Sequence, residues 1–282
     1  MHYQYSRPTN LQEAVSLLHS MDGDVLVLAG GTDMIPLMSA QALGPRHVVD
    51  IKAIAELNRI RQDKDGQLHI GAAVRVSDLL HEDVILDNYP ALAQAAEVLG
   101  SYPVRNRATI GGNVCRASPS GDLIAPLLIY EAMATVYCSA GQRIMALDTF
   151  FVGPGETVLG RDEILVELTL PAPKEGWHSA YLKCSPRRAM DLAVVGVAVG
   201  LGPGDRQWRE LRIALGAVGP TPFRARQTER AWKERDSLTW KEIGELAAAE
   251  CQPIDDLRGG ADYRRHIVGV LVARMLYQLA GT

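Results

Sequence analysis

The stretch Ala29-Gly30-Gly31-Thr32-Asp33 runs straight out of the apolar segment 24–28, and Thr109-Ile110-Gly111-Gly112-Asn113 repeats the glycine pair far downstream. Adjacent glycines let the main chain approach a ligand closely and turn its N–H groups inward, which makes an anion-binding nest without any charged side chain. One such loop says little about a fold. Two in a single chain predict the halves of a cradle for a diphosphate, and the elements on either side are read as its supports.

Upstream of the first loop, Asn10 is placed to cap a helix over 11–19, with Glu13 as its capping-box partner and Leu11, Val15 and Leu18 on one face. Residues 24–28 read as a strand, 34–39 as a short helix and 48–51 as the next strand, closing a small α/β unit near residue 55. Asp65-Gly66 between 59–61 and 67–70 signals a hairpin. Helices are expected over 77–82, capped by Ser77, and over 90–99, opened by Pro90. From Gly100 to Asp122 the pattern dissolves into glycine, proline, arginine and asparagine, and so long an irregular stretch reads as a binding loop. Ser120 or Asp122 is then expected to cap a helix over 123–130, a second hairpin turns at Ala140-Gly141, and a strand covers 164–170. Residues 171–176 suit a linker.

Beyond the linker the grammar changes. Strands over 181–184, 193–200 and 211–218 precede helices near 225–233, 240–250 and 261–278, which predicts a sheet backed by helices. Tyr263, Ile267, Val270, Leu271, Arg274 and Met275 suggest the buried stripe of the last helix. The domains expected are therefore 1–55, 56–172 and 177–282, in an α+β chain.

Bulk properties exclude several classes. A length of 282 residues with 47% apolar side chains supports an ordinary packed core. The formal charge of −4, with Lys and Arg dispersed, gives no footprint for nucleic acid, so Arg187-Arg188 and Arg264-Arg265-His266 read as solvated or ion-paired surface. No apolar run reaches the ~18 residues of a membrane span, so no transmembrane segment is expected. Cys115, Cys138, Cys184 and Cys251 show no CxxC spacing and no basic stretch followed by an apolar signal core opens the sequence, so a reducing, cytoplasmic setting is the default expectation. The seven histidines have no HxH or HExxH spacing, so no metal is expected. Neither GxGxxG nor GxxxxGK[ST] is present, which removes the main support for a Rossmann or P-loop assignment.

A ligand with two phosphates, a ribose and a heterocycle would use each residue type in the two loops. Glycine N–H groups meet the phosphates, Thr32 and Ser118 supply hydroxyls, Asp122 accepts from a sugar diol, and Asn113 satisfies a polar edge. Asp33 suits such a site only where it turns back to cap local N–H groups. A side chain at Gly111 is expected to cost ligand more than fold. Cys115, with no histidine beside it, is read as a small packed residue.

Together, residues 29–33 and 109–113 continued by Ala117-Ser118-Pro119-Ser120-Gly121-Asp122 resemble the FAD-binding medium subunit of the molybdenum hydroxylases, the group of bacterial xanthine dehydrogenase and carbon monoxide dehydrogenase. Further stations are Ile70-Gly71-Ala72, Arg105-Asn106-Arg107, Lys183 with residues 187–193, and Arg258-Gly259 with Tyr263-Arg264-Arg265. The resemblance implies a two-subdomain FAD domain of the vanillyl-alcohol oxidase type, followed by a C-terminal domain of antiparallel sheet and helices. It implies that Ala29, Gly30, Gly31, Thr32, Asp33, Thr109, Ile110, Gly111, Gly112, Asn113, Ser118 and Asp122 surround the FAD diphosphate and ribose. Lys183 and Asp191 would lie on the flavin side, or form an ion pair between domains. No catalytic acid or base is implied. A molybdopterin cofactor and two [2Fe–2S] clusters would reside in large and small partner subunits, in a dimer of heterotrimers, with NAD⁺ or a quinone as acceptor. Two rivals stand beside it: a stand-alone FAD-dependent oxidoreductase acting directly on a small substrate, and a non-enzymatic assembly subunit lacking FAD.

Overall fold

Strand β1 (Gln4–Ser6), helix α1 (Leu11–Ser20), strand β2 (Val25–Leu28), helix α2 (Met34–Ser39) and strand β3 (His47–Asp50) build the first layer. The computed structural model describes residues 3–187, 190–203, 210–235 and 237–281. Asn10 accepts the Glu13 N–H at 2.9 Å, a cap worth about 1 kcal/mol. The Glu13 carboxylate reaches back to the Thr9 N–H instead of that of Asn10. Leu11, Ala14, Val15 and Leu18 are buried on the inner face of α1. The three strands are parallel in the order β1-β3-β2. Parallel strands send the chain out at one common edge, so the loop 29–33 leaves the carboxyl end of β2, where open parallel sheets commonly bind ligands.

The second layer starts with the hairpin β4 (Ile60–Gln62) and β5 (Leu68–Gly71), turned at Gly66 with φ +80°. Helices α3 (Val76–Leu79), α4 (Asp83–Asn88), α5 (Pro90–Val98), α6 (Tyr102–Arg105), α7 (Ile110–Cys115) and α8 (Ile124–Ile129) follow. Strands β6 (Met133–Cys138), β7 (Gly141–Ala146), β8 (Phe151–Gly153), β9 (Glu156–Thr157) and β10 (Ile164–Leu170) complete the layer. The main sheet is antiparallel in the order β4-β5-β10-β6-β7. Ile70, Leu92, Ile110, Leu127, Phe150 and Leu168 are fully buried between it and the helices.

Three local expectations change here. Ser77 does not cap α3, because it is itself buried; the helix begins after Arg75, whose N–H and guanidinium are held by the Asp78 carboxylate. The stretch from Gly100 to Asp122 is not wholly irregular, since it contains α6 and α7. Neither Ser120 nor Asp122 caps α8, which begins after Leu123 without a side-chain cap; both residues turn toward the C-terminal sheet.

That sheet comprises β11 (His178–Cys184), β12 (Val195–Gly202), β13 (Glu210–Gly216) and β14 (Phe223–Arg224), antiparallel in chain order. Helices α9 (Arg226–Glu234), α10 (Trp240–Ala249) and α11 (Ala261–Ala280) follow. Strand alternation separates its faces. Val197, Val199, Leu201, Ile213 and Leu215 pack with the helices, whereas Tyr181, Ala198 and Ala214 join the core of the second layer. The Tyr181 N–H donates to Gln94 at 2.7 Å and Arg212 donates to the Ile129 carbonyl at 2.8 Å, tying the sheet to α5 and α8.

The inner face of α11 differs from the expected stripe. Arg264, Val268, Val272, Met275 and Leu276 are buried, while Tyr263 and Arg274 are exposed. Apolar content alone pointed to the neighbouring face, because it could not foresee a charged residue turned inward. Arg264 is 2% exposed, so its reading as surface charge is overturned.

Candidate functional site

The first glycine loop meets the segment that leads into the second. A Cβ on Gly30 would lie 2.2 Å from the Arg107 carbonyl oxygen and 2.8 Å from the Ala108 Cα, a separation that only glycine permits. Gly31 sits at φ +77°, a left-handed conformation that turns the chain into α2. Among the described residues, the N–H groups of Gly30, Gly31, Thr32 and Asp33 donate to no acceptor of the chain. This run of unspent donors fits an anionic diphosphate. Asp33 makes no side-chain cap on α2, so the expected inward turn of its carboxylate is not met and only its main-chain N–H counts toward the nest.

The second loop is built differently. Its segment 108–111 zips onto the chain beyond β5: the Val76 N–H donates to Ala108, Ile110 to Val74, and Gly111 to the Ala72 carbonyl at 2.9 Å. The Gly112 N–H is taken by the Thr109 hydroxyl at 3.1 Å, which caps α7. The N–H groups of Ile110, Gly111 and Gly112 are therefore spent inside the protein. Gly111 is glycine for a packing reason, since a Cβ there would lie 2.5 Å from the Ala72 oxygen. Loop 109–113 is thus anchored in the protein, the residues just before it, Arg107 and Ala108, form the wall against Gly30, and the N–H donors left open are those of residues 30–33 and Thr109.

Asn113 accepts the Leu123 N–H at 3.3 Å and so ties α7 to the turn 118–122. Ser118 accepts the Ser120 N–H at 3.3 Å. Asp122 is buried beside β11, where Tyr181 donates to one carboxylate oxygen and Lys183 to the other, each at 2.9 Å. Burial pushes the Asp122 carboxyl upward, against the pull of the Lys183 ammonium and the Tyr181 hydroxyl. Burial likewise pushes the Tyr181 hydroxyl well up, so it stays a proton donor at neutral pH.

The structure thus pairs Lys183 across the two parts of the chain with Asp122, and not with Asp191. Asp191 instead receives the Arg187 and Leu192 N–H groups at 3.1 and 3.0 Å. Arg188 and Ala189 of the same motif lie outside the described residues. Arg105 donates to the Leu99 carbonyl, and neither Arg105 nor Arg107 has a carboxylate partner among the described residues, which leaves positive charge beside the loops. Burial pushes the Cys115 thiol up to about 12, so it is neutral under ordinary conditions. The described residues contain no cluster of His, Cys, Asp or Glu able to hold a metal ion.

Tyr181 was not singled out from the sequence, and Arg264 stood out only as a station of the resemblance and as surface charge. For Arg264 a signal existed, because 264, 268, 272 and 275 follow helical spacing on a single face. Nothing short of the fold would have placed Tyr181 on Asp122.

The fold and its two matched segments define a two-domain FAD-binding fold of mixed α/β layers and antiparallel sheets. Residues 1–173 match the FAD binding domain in molybdopterin dehydrogenase, and residues 180–279 match the CO dehydrogenase flavoprotein C-terminal domain. The chain belongs to the xanthine dehydrogenase and carbon monoxide dehydrogenase family of FAD-binding medium subunits of molybdenum hydroxylases. It is 33% identical to the xanthine dehydrogenase FAD-binding subunit of Escherichia coli O157:H7, over 96% of this chain and 94% of that one. Identity to the carbon monoxide dehydrogenase medium chain of Hydrogenophaga pseudoflava is 34%, covering 97% and 96%. The structure of carbon monoxide dehydrogenase from Hydrogenophaga pseudoflava contains a chain that superposes with a TM-score of 0.92, over 98% of this chain and 96% of that one.

Proposed function

We propose that this chain binds FAD and relays electrons within a molybdenum-containing hydroxylase, from the [2Fe–2S] clusters of a small subunit to an acceptor such as NAD⁺ or a quinone. The large subunit of the complex would hold the molybdopterin cofactor and select the substrate, and the assembly would be a dimer of such heterotrimers. When bound, FAD would supply the conversion between one-electron donors and two-electron acceptors. In this reading Gly30, Gly31, Thr32 and Asp33 donate main-chain N–H groups to the diphosphate, and the Arg105 and Arg107 charges favour it electrostatically. Ser118 offers a hydroxyl. Thr109, Ile110, Gly111, Gly112 and Asn113 hold the wall against which the nest forms.

The buried Asp122–Lys183 pair fixes the seam where the C-terminal sheet closes over the turn 118–122, and each carboxylate oxygen keeps a lone pair for a ribose hydroxyl. Asp191 orders the segment after β11 through the Arg187 N–H. The observation that carries the proposal is the contact of Gly30 with Arg107 and Ala108 beside a row of unspent N–H donors. Among the described residues, no helix is long and apolar enough to cross a membrane. The free cysteines support a reducing, cytoplasmic setting.

The test is flavin spectroscopy on the full chain, alone and with its two partner subunits. The expected result is about one FAD per chain, reduced by substrate only when the iron–sulfur subunit is present. A chain that never takes up FAD would restore the assembly-subunit reading. Direct reduction by a small substrate without the partners would restore the stand-alone oxidoreductase.

A further inference from the structure

The geometry points to Arg264 as the residue that positions the cofactor turn 118–122 from the far end of the sequence, an inference that rests on the FAD reading above. The turn belongs to the N-terminal half, yet its outer supports come from the C-terminal half. The Pro119 carbonyl accepts the Ala217 N–H at 2.6 Å, Ser120 donates to the Ala193 carbonyl at 3.4 Å, and Asp122 is held by Tyr181 and Lys183. Gly216 is pressed against the same Pro119 oxygen, 3.2 Å from where its Cβ would stand.

Two of those supports are themselves irregular chain ends. Ala217 follows β13 at φ +63°, a conformation costly for a residue with a side chain. Ala193 and Val194 precede β12 outside any ladder. Both ends converge on one guanidinium. Arg264 donates to the Ala217 carbonyl at 2.8 Å, to the Val194 carbonyl at 3.2 Å and to the Gly259 carbonyl at 3.2 Å, while Asp256 holds its remaining nitrogen at 2.6 Å.

The Ala217 peptide is thus bracketed, its carbonyl fixed by Arg264 and its N–H fixed on Pro119. With Arg264 removed, nothing else in the described chain bonds that carbonyl, and the strained Ala217 can relax away from the turn. A planar fork with five N–H donors can serve several carbonyls and a carboxylate at once; an ammonium cannot present the same geometry. Arg264 touches no part of the proposed cofactor cradle directly. It acts through Ala217 and Ala193–Val194 on Pro119 and Ser120, and through them on Ser118 and Asp122.

The experiment compares wild type with Arg264→Gln and Arg264→Lys in the full chain, with Arg224→Lys as the control. Arg224 is another buried arginine of the same sheet, bonded to Glu229 and Glu131 and not to the turn. The readouts are backbone hydrogen exchange of peptides covering 116–123 and 212–218 without added FAD, the rate of FAD release followed by flavin fluorescence, and the melting temperature. Both Arg264 variants should speed exchange in the two peptides together and release FAD at least tenfold faster, beyond what Arg224→Lys shows at a comparable loss of melting temperature. Should the glutamine variant fail to fold, the lysine variant decides, since it keeps a charge opposite Asp256 but loses the fork. Unchanged exchange at 116–123, or FAD release that merely tracks melting temperature as in the control, would overturn the inference. A wild-type chain that takes up no FAD would remove the cofactor reading and leave the exchange comparison to decide the linkage.

Discussion

Gly30 and Gly111 look alike in the sequence and do different work. At Gly30 the missing Cβ lets one loop lie against the segment that leads into the other, and at Gly111 it lets a buried helix start lie against Ala72. Gly30→Ala is therefore expected to push loop 29–33 off Arg107 and weaken FAD binding at least tenfold, with a folding loss of about 1–2 kcal/mol. Gly111→Val should instead cost the fold about 3 kcal/mol or more, because the new side chain would enter a filled core and break the Gly111 to Ala72 hydrogen bond. This reverses the expectation from sequence that a change at Gly111 harms ligand more than fold. Urea unfolding of the apo chain, run beside a flavin titration, separates the two.

Asp122 carries a second test at the same scale. Asp122→Ala would strand the Lys183 ammonium in a buried site and is expected to destabilise the apo chain by about 3–5 kcal/mol. Replacing both partners, Asp122→Asn with Lys183→Met, should recover much of that loss while FAD affinity stays low. Recovery of FAD affinity in the double variant would show that the pair serves the seam alone.

Among the elements, the crossing of α10 and α11 is fixed by small residues. A Cβ on Gly244 would fall 2.3 Å from the Gly269 carbonyl oxygen, so the two helices approach backbone to backbone. Gly244→Ala is expected to lower stability by about 1–3 kcal/mol despite its gain in helix propensity, and a lowered melting midpoint would check it. Most elements were readable from periodicity and caps: Asn10 before α1, Pro90 at the start of α5, and the Gly66 and Gly141 turns of the hairpins. The short helices α4, α6 and α7 were not, and α6 and α7 lie in the stretch 100–122 whose glycines, prolines and asparagines read as loop. The inward face of α11 was misread because, although 264, 268, 272 and 275 share helical spacing, the carbonyls of Val194 and Ala217 that satisfy the Arg264 charge lie far away in sequence.

At the scale of the whole molecule, ion pairs set the acid limit of stability. Arg143 hydrogen bonds hold the Glu163 carboxyl below its ordinary value, and the Arg258 N–H together with Arg264 does the same for Asp256. A carboxylate whose folded value is depressed adds stability above its unfolded value, and that stability is lost as pH falls through the folded one. Unfolding free energy should therefore hold near neutrality with respect to these groups and decline below about pH 4, and Glu163→Gln should flatten part of that decline in urea titrations between pH 3 and 6. The sequence by itself determined the family, the longer strands and helices and the two glycine loops, because turn residues, caps and periodicity act within a few neighbours. Tertiary structure decided which main-chain N–H groups stay free, that Lys183 answers Asp122 and not Asp191, and that Arg264 lies inside. Each of those depends on a partner tens of residues away, and only packing brings such groups within a hydrogen bond of one another.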